Sequence, residues 1–196
     1  PSIPYITVVT GLTPNPPTAG GTLVTLKGAN FMPGGQLRPL RVTYARASDG
    51  VLYTAQGCTI VDNATITCTT APGFGTNFEW SVFIDGTIVA SLVPLTMSYA
   101  APLFTRLSVT ASGMATTGGR PSAIAVYGSN FGPNPRQNPR PAYLYNYSMP
   151  TLVFGNNGNE FVCAVTTWND TVLECDPPAG VGANLYWTLS VGDNSY

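Results

Sequence analysis

The chain carries the same pattern twice, and this doubling limits its folds more than any other feature, because copies of one pattern must fold as copies of one unit. Gly20-Gly21 recurs as Gly118-Gly119, and Gly28-Ala29-Asn30-Phe31 recurs as Gly128-Ser129-Asn130-Phe131. Cys58 and Cys68 return as Cys163 and Cys175. The run from Pro72 to Asn77 matches the run from Ala179 to Asn184, with Trp80 and Trp187 each three residues beyond the asparagine. Two homologous units are therefore expected, residues 1–100 and 101–196, joined near Tyr99-Ala100-Ala101-Pro102.

Within each unit, short runs rich in Val, Ile, Thr and Tyr are bounded by Gly, Pro, Asn and Asp, which is the signature of strands and turns. In the first unit strands are expected near Tyr5 to Thr10, Thr22 to Lys27, Arg41 to Ala45, Val51 to Ala55, Thr65 to Thr69, Glu79 to Ile84 and Leu95 to Tyr99. Asp49-Gly50, its counterpart Asn157-Gly158, and Asp85-Gly86 supply residues that tolerate the positive φ of a hairpin turn. No window has a helical period. The expectation is an all-β chain of two tandem immunoglobulin-like β-sandwiches.

The order of these motifs resembles that of the IPT/TIG domains, immunoglobulin-like modules of plexins, fibrocystin-like receptors and many protist or algal surface proteins. The shared pattern is a Gly-Gly before a strand ending in Gly-x-Asn-Phe, then two Cys, a Pro-Gly-x-Gly-like turn, and a closing Ser-Tyr followed by Ala-Pro. It covers nearly the whole chain, twice over. The same family includes DNA-binding transcription factors and accessory domains of starch enzymes, so the resemblance implies a fold and leaves function open.

Each unit has two cysteines, separated by ten positions in the first (68 minus 58) and twelve in the second (175 minus 163). That spacing suits a bridge between neighbouring antiparallel strands; the alternative is four buried free thiols. Bridges Cys58 to Cys68 and Cys163 to Cys175 would imply an oxidising compartment, hence an extracellular or cell-surface location. Three N-glycosylation sequons begin at Asn63, Asn146 and Asn169. Asn63 and Asn169 fall at almost the same point of the two units, between the paired cysteines, where turn residues are exposed. Only 9% of residues are charged, and covalently attached glycans would explain how such a surface stays in solution. A polar turn without a glycan is the alternative.

The second unit holds an insertion, residues 132–150, with five prolines, four of them in its first half. Proline there removes ladder donors and favours an extended polyproline path. Tyr143, Tyr145 and Tyr147 then alternate, and an extended backbone would put them on one face. They are a candidate platform for a sugar or a partner, or else they lean on their own sandwich.

Several functions are set aside by what the chain lacks. It has no histidine, the side chain most used for proton transfer near neutral pH and for zinc. Asp62, Asp85, Asp170 and Asp176 stand in turn-like contexts rather than in a catalytic motif. No enzyme, cofactor or metal site is expected. Eight basic residues against nine acidic ones offer no footprint for nucleic acid, and no apolar run is long enough for a membrane span in this segment. After Asp193-Asn194, read as the match of Asp85-Gly86, the second unit stops at Tyr196, so it is expected to lack its last strand. A fragment of a longer array would explain this, as would completion by a neighbour's strand. The leading expectation is a non-enzymatic extracellular glycoprotein, a structural or adhesive unit of a cell-surface fibre or tandem-repeat ectodomain, self-associating or packed against neighbouring repeats. The competing expectation is a carbohydrate-binding accessory module of a secreted enzyme.

Overall fold

A computed structural model describes residues 2–48, 50–109, 116–118, 123–134 and 149–195. Asn146, Tyr143, Tyr145 and Tyr147 lie outside the described residues. The chain divides into two compact units, Pro1–Ala100 and Ala101–Tyr196, and both are built from strands, with a single 3-10 turn at Pro33–Gly35 among the described residues.

The first unit contains β1 (Tyr5–Thr10), β2 (Leu23–Ala29), β3 (Leu40–Ala45), β4 (Leu52–Thr54), β5 (Gln56–Asp62), β6 (Thr65–Thr69), β7 (Phe78–Ile84), β8 (Thr87–Ile88), β9 (Ala90–Ser91) and β10 (Thr96–Met97). One sheet runs β5-β6-β2-β1-β9; the other runs β10-β7-β3-β4, with β8 also on β7. Side chains of β7 alternate as a two-sheet packing requires. In β7, Phe78, Trp80, Val82 and Ile84 are buried while Glu79 is exposed. Ile6, Val24, Leu26 and Ile66 supply the first sheet's share of the core, and Val42, Tyr44, Tyr53 and Val82 that of the second.

The centre of this core is aromatic. Tyr44 stacks on Tyr53 (centroids 5.3 Å apart) and on Trp80 (4.6 Å), and meets the edge of Phe78 at 5.9 Å. Its buried hydroxyl is fully used: it accepts from Ala71 N (2.9 Å) and lies 2.7 Å from the Tyr99 hydroxyl, which donates to Ala71 O (2.7 Å). Burying polar groups is tolerable here because the ring of hydrogen bonds closes.

The second unit contains β11 (Leu103–Val109), β12 (Ile124–Ser129), β13 (Thr151–Gly155), β14 (Phe161–Trp168), β15 (Val172–Asp176), β16 (Tyr186–Val191) and β17 (Asn194–Ser195), in the order β11-β12-β15-β14-β13-β16-β17. Its β14 pairs with β13 at Phe161–Cys163 and with β15 from Ala164 onward. One strand thus serves both sheets. In the first unit the same path is broken at Ala55 into β4 and β5, and β5 was not among the expected strands. Registers match between the units: Tyr44 faces Trp80, and Phe154 faces Trp187. Phe154 stacks on Trp187 at 4.4 Å and on Phe161 at 5.3 Å, without a hydroxyl.

One reading of the second unit's end needs correction. Val191 pairs with Asn194, as Ile84 pairs with Thr87, so the tight turn is Gly192-Asp193 rather than Asp193-Asn194. Asn194–Ser195 is accordingly the counterpart of β8. Among the described residues the second unit has no counterpart of β9 or β10. In the first unit β9 lies parallel to β1 at Tyr5 and Ile6, and Ile6 is wholly buried. Phe104, at the same register position in β11, is only half-buried.

Candidate functional site

The sequon of the first unit occupies the turn between β5 and β6, and the Gly-x-Asn-Phe motif is what holds that turn in place. Gly28 lies so close to β1 that a Cβ would overlap the Tyr5 carbonyl oxygen and the Phe31 ring. Asn30 takes a φ of 63°, a left-handed value that asparagine accepts more readily than most residues. Its Nδ2 donates to Ile3 O at 3.1 Å. The chain then bends back over the turn. Gly28 N donates to Ala64 O (3.0 Å) and Phe31 N to Asn63 O (3.0 Å). Met32 N donates to the Asn63 side-chain oxygen, also at 3.0 Å.

The second unit repeats this scaffold with one difference in position. Gly128 N donates to Thr171 O (2.9 Å), Phe131 N to Asp170 O (3.1 Å), and Gly132 N to Asp170 Oδ1 (3.2 Å). Asp170, not Asn169, therefore takes the place of Asn63. Asn169 takes the place of Asp62: Thr171 N donates to Asn169 Oδ1 at 2.9 Å, and Ala64 N donates to Asp62 Oδ1 at 2.7 Å. The two sequons are offset by one residue within one shared turn. In both, the side-chain oxygen of the asparagine is engaged, by Met32 N from the preceding loop at Asn63 and by the turn's own amides at Asn169, while Nδ2 makes no hydrogen bond and the residue is exposed. An N-linked sugar attaches at that nitrogen, so each turn can carry one without losing a structural bond.

The sequon threonines differ. Thr65 is 7% exposed and accepts a 2.7 Å hydrogen bond from Nζ of Lys27, the chain's single lysine. Thr171 is exposed, and its hydroxyl donates to Asn169 Oδ1 at 3.1 Å within the same turn.

The hydrogen bond from Ala64 N holds the Asp62 carboxyl below the ordinary aspartate range, with Thr65 and the Lys27 charge acting in the same direction against partial desolvation. A lowered folded-state value means that the carboxylate stabilises the turn above the ordinary range and that this contribution disappears as pH falls through the lowered value. Titration by carbon-detected NMR should place the Asp62 midpoint below that of exposed aspartates. The Ala64 amide should lose exchange protection over the same interval.

Immediately behind the turns, Cys58–Cys68 ties β5 to β6 and Cys163–Cys175 ties β14 to β15. Among the described residues there is no free cysteine and no group of three or more His, Cys, Asp or Glu placed to hold a metal ion. Among the described residues no helix is long and apolar enough to cross a membrane.

A separate feature opens on the edge of β7, where the chain leaves that strand after β8, crosses to pair with β1 as β9, and returns as β10. Between this segment and β7 lies a cleft of about 440 Å³, lined by Trp80, Ser81, Val89, Ser91, Leu95 and other residues of the two. Trp80 is 5% exposed and its buried Nε1–H has no hydrogen-bond partner. The cleft at its edge had no sequence signal, because it arises from a strand crossing between sheets. Trp187 is half-buried.

Residues 7–99 match the family model of the IPT/TIG domain. No curated protein sequence matches the chain. Among solved structures, the extracellular region of Plexin A4 aligns over 90% of this chain and 13% of its own, at 18% identity and a TM-score of 0.36. The adhesin InvE of Yersinia pseudotuberculosis aligns over 97% of this chain and 56% of its own, at 14% identity and a TM-score of 0.48. The surface glycan-binding protein PbSGBP-B of Prevotella bryantii aligns over 99% and 36%, at 11% identity and a TM-score of 0.48. The chain thus spans between 13% and 56% of the length of these proteins.

Proposed function

Because residues 7–99 belong to the IPT/TIG domain family, we propose that the chain is a non-enzymatic extracellular glycoprotein in which a second domain of the same kind, residues 101–196, follows the first, and that it serves as a structural or adhesive unit of a cell-surface fibre or ectodomain. The observation that carries this reading is the shared turn. In both units a disulfide-stapled hairpin presents an exposed asparagine whose Oδ1 is engaged and whose Nδ2 is unbonded. Disulfides persist in oxidising compartments, where N-linked glycans are also added. Head-to-tail association belongs to the same reading.

Asn63, Asn146 and Asn169 are expected to carry glycans in native material. Release by an amidase-type glycosidase in heavy-oxygen water should leave isotopically labelled aspartate at these positions, read by peptide mass spectrometry. Unlabelled asparagine at all three would remove the reading. Electron microscopy of the same material should show repeating filaments or arrays.

The cleft beside Trp80 favours a second reading, a carbohydrate-binding module, since a largely apolar recess with the serines Ser81 and Ser91 in its lining suits a hydroxylated neutral ligand. A sugar-induced shift of the Trp80 indole resonance would decide for it.

A further inference from the structure

The two sequons differ in the one group besides asparagine that makes the tripeptide an acceptor, the hydroxyl two residues on. We propose that folding closes the Asn63 site to glycosylation and leaves the Asn169 site open, so that Asn63 is glycosylated only on chains whose first unit has not yet folded. The proposal rests on the glycoprotein reading and adds an order of events to it.

The backbones of both turns are pinned to the loop before them, through Gly28 and Phe31 in one unit and Gly128 and Phe131 in the other. Backbone pinning therefore does not separate the sites. Their side chains do. The Thr65 hydroxyl is buried against β2 and bound by Lys27 Nζ at 2.7 Å, and the Asn63 amide oxygen is bound by Met32 N from a different segment. A transferase reading both groups in the folded unit must break two contacts between distant parts of the chain. At Asn169 the amide oxygen and the Thr171 hydroxyl bond only to groups of their own turn, and both residues are exposed. Rotating that hydroxyl toward an enzyme disturbs nothing outside the turn.

In the transfer itself the oligosaccharide comes from a lipid-linked oligosaccharyl diphosphate. The C1–O bond to the diphosphate breaks and its electron pair leaves with the diphosphate; Nδ2 of asparagine forms the C1–N bond and gives up one proton to solvent. After transfer at Asn63 the first unit can still fold, because Oδ1 remains free to accept from Met32 N.

The test uses the whole chain produced without glycans, with both disulfides formed, incubated with a purified oligosaccharyltransferase and its lipid-linked donor. Occupancy at each asparagine is followed by mass spectrometry. In the folded protein Asn169 should be modified about tenfold faster than Asn63 or more, the ratio set by one or two intact hydrogen bonds. After reduction and unfolding, the two rates should converge. Lys27→Met, which removes the Nζ contact to the Thr65 hydroxyl while keeping the hydroxyl, should raise the Asn63 rate in the folded protein. Equal rates in the folded chain overturn the proposal, as does failure of Asn169 to react until the chain is unfolded. Failure of both sites even in the unfolded chain overturns the glycoprotein reading with it.

Discussion

Tyr44→Ala is expected to unfold the first unit under conditions where the second stays folded. Truncating a buried aromatic ring costs about 3–5 kcal/mol. Here the substitution also strands Ala71 N, whose acceptor is the Tyr44 hydroxyl, adding roughly 1–3 kcal/mol. The sum approaches the whole stability of a small domain. Hydrogen exchange read by mass spectrometry should show residues 1–100 losing protection while residues 101–196 keep theirs. Tyr44→Phe separates the two terms: it keeps the stacks on Tyr53 and Trp80 and removes only the hydroxyl, so its cost should fall to about 1–3 kcal/mol. The second unit has already made that substitution, with Phe154 facing Trp187. If Tyr44→Ala leaves the first unit as protected as before, the aromatic cluster is not its core.

Removing either disulfide should be the next largest effect. Loops of ten and twelve residues give about 3 kcal/mol each in the chain-entropy account. Alanine is the replacement to use, because Cys68, Cys163 and Cys175 are almost wholly buried and serine would leave a hydroxyl without a partner. Urea unfolding of Cys58→Ala with Cys68→Ala, and of Cys163→Ala with Cys175→Ala, should lower the midpoint of the altered unit alone. Non-reducing peptide maps of the native chain should link Cys58 with Cys68 and Cys163 with Cys175. Free thiols or links between the units would defeat the argument for an oxidising compartment.

What could be read from the amino acids was whatever a single residue type enforces. Gly28 and Gly128 recur because β1 and β11 leave no room for a Cβ at either place. Gly20 and Gly118 recur because each combines a positive φ with backbone packed against it, at Ala71-Pro72 and Pro178-Ala179. Edge elements were harder. In β5 Ile60 is the sole fully buried residue, and Gly57 sits at a φ of 56°, so the strand lacks the alternation that would announce it. The sequons mislead in a different way. Asp62-Asn63 and Asn169-Asp170 are the same pair of turn positions with amide and acid exchanged, and both positions use only the oxygen. Aligning asparagine with asparagine therefore shifts the turn by one. The same error moved the final hairpin, where matching Asp85 to Asp193 overrode the constant five-residue interval from Trp80 to Asp85 and from Trp187 to Gly192. The cleft at Trp80 depends on a crossing between sheets, which no local pattern records.

The bridge in each unit also bears on how the chain would respond to being pulled. A residue in a fully extended chain adds about 3.3–3.6 Å, so the ten-residue separation at Cys58–Cys68 withholds roughly 35 Å from the length that the first unit can release, and the twelve-residue separation at Cys163–Cys175 roughly 40 Å. The withheld segments are the hairpins that bear Asn63 and Asn169. Under tension sufficient to strip away the other strands, these two hairpins would remain closed loops, and sugars carried at Asn63 and Asn169 under the proposed reading would stay at fixed stations along an otherwise drawn-out thread.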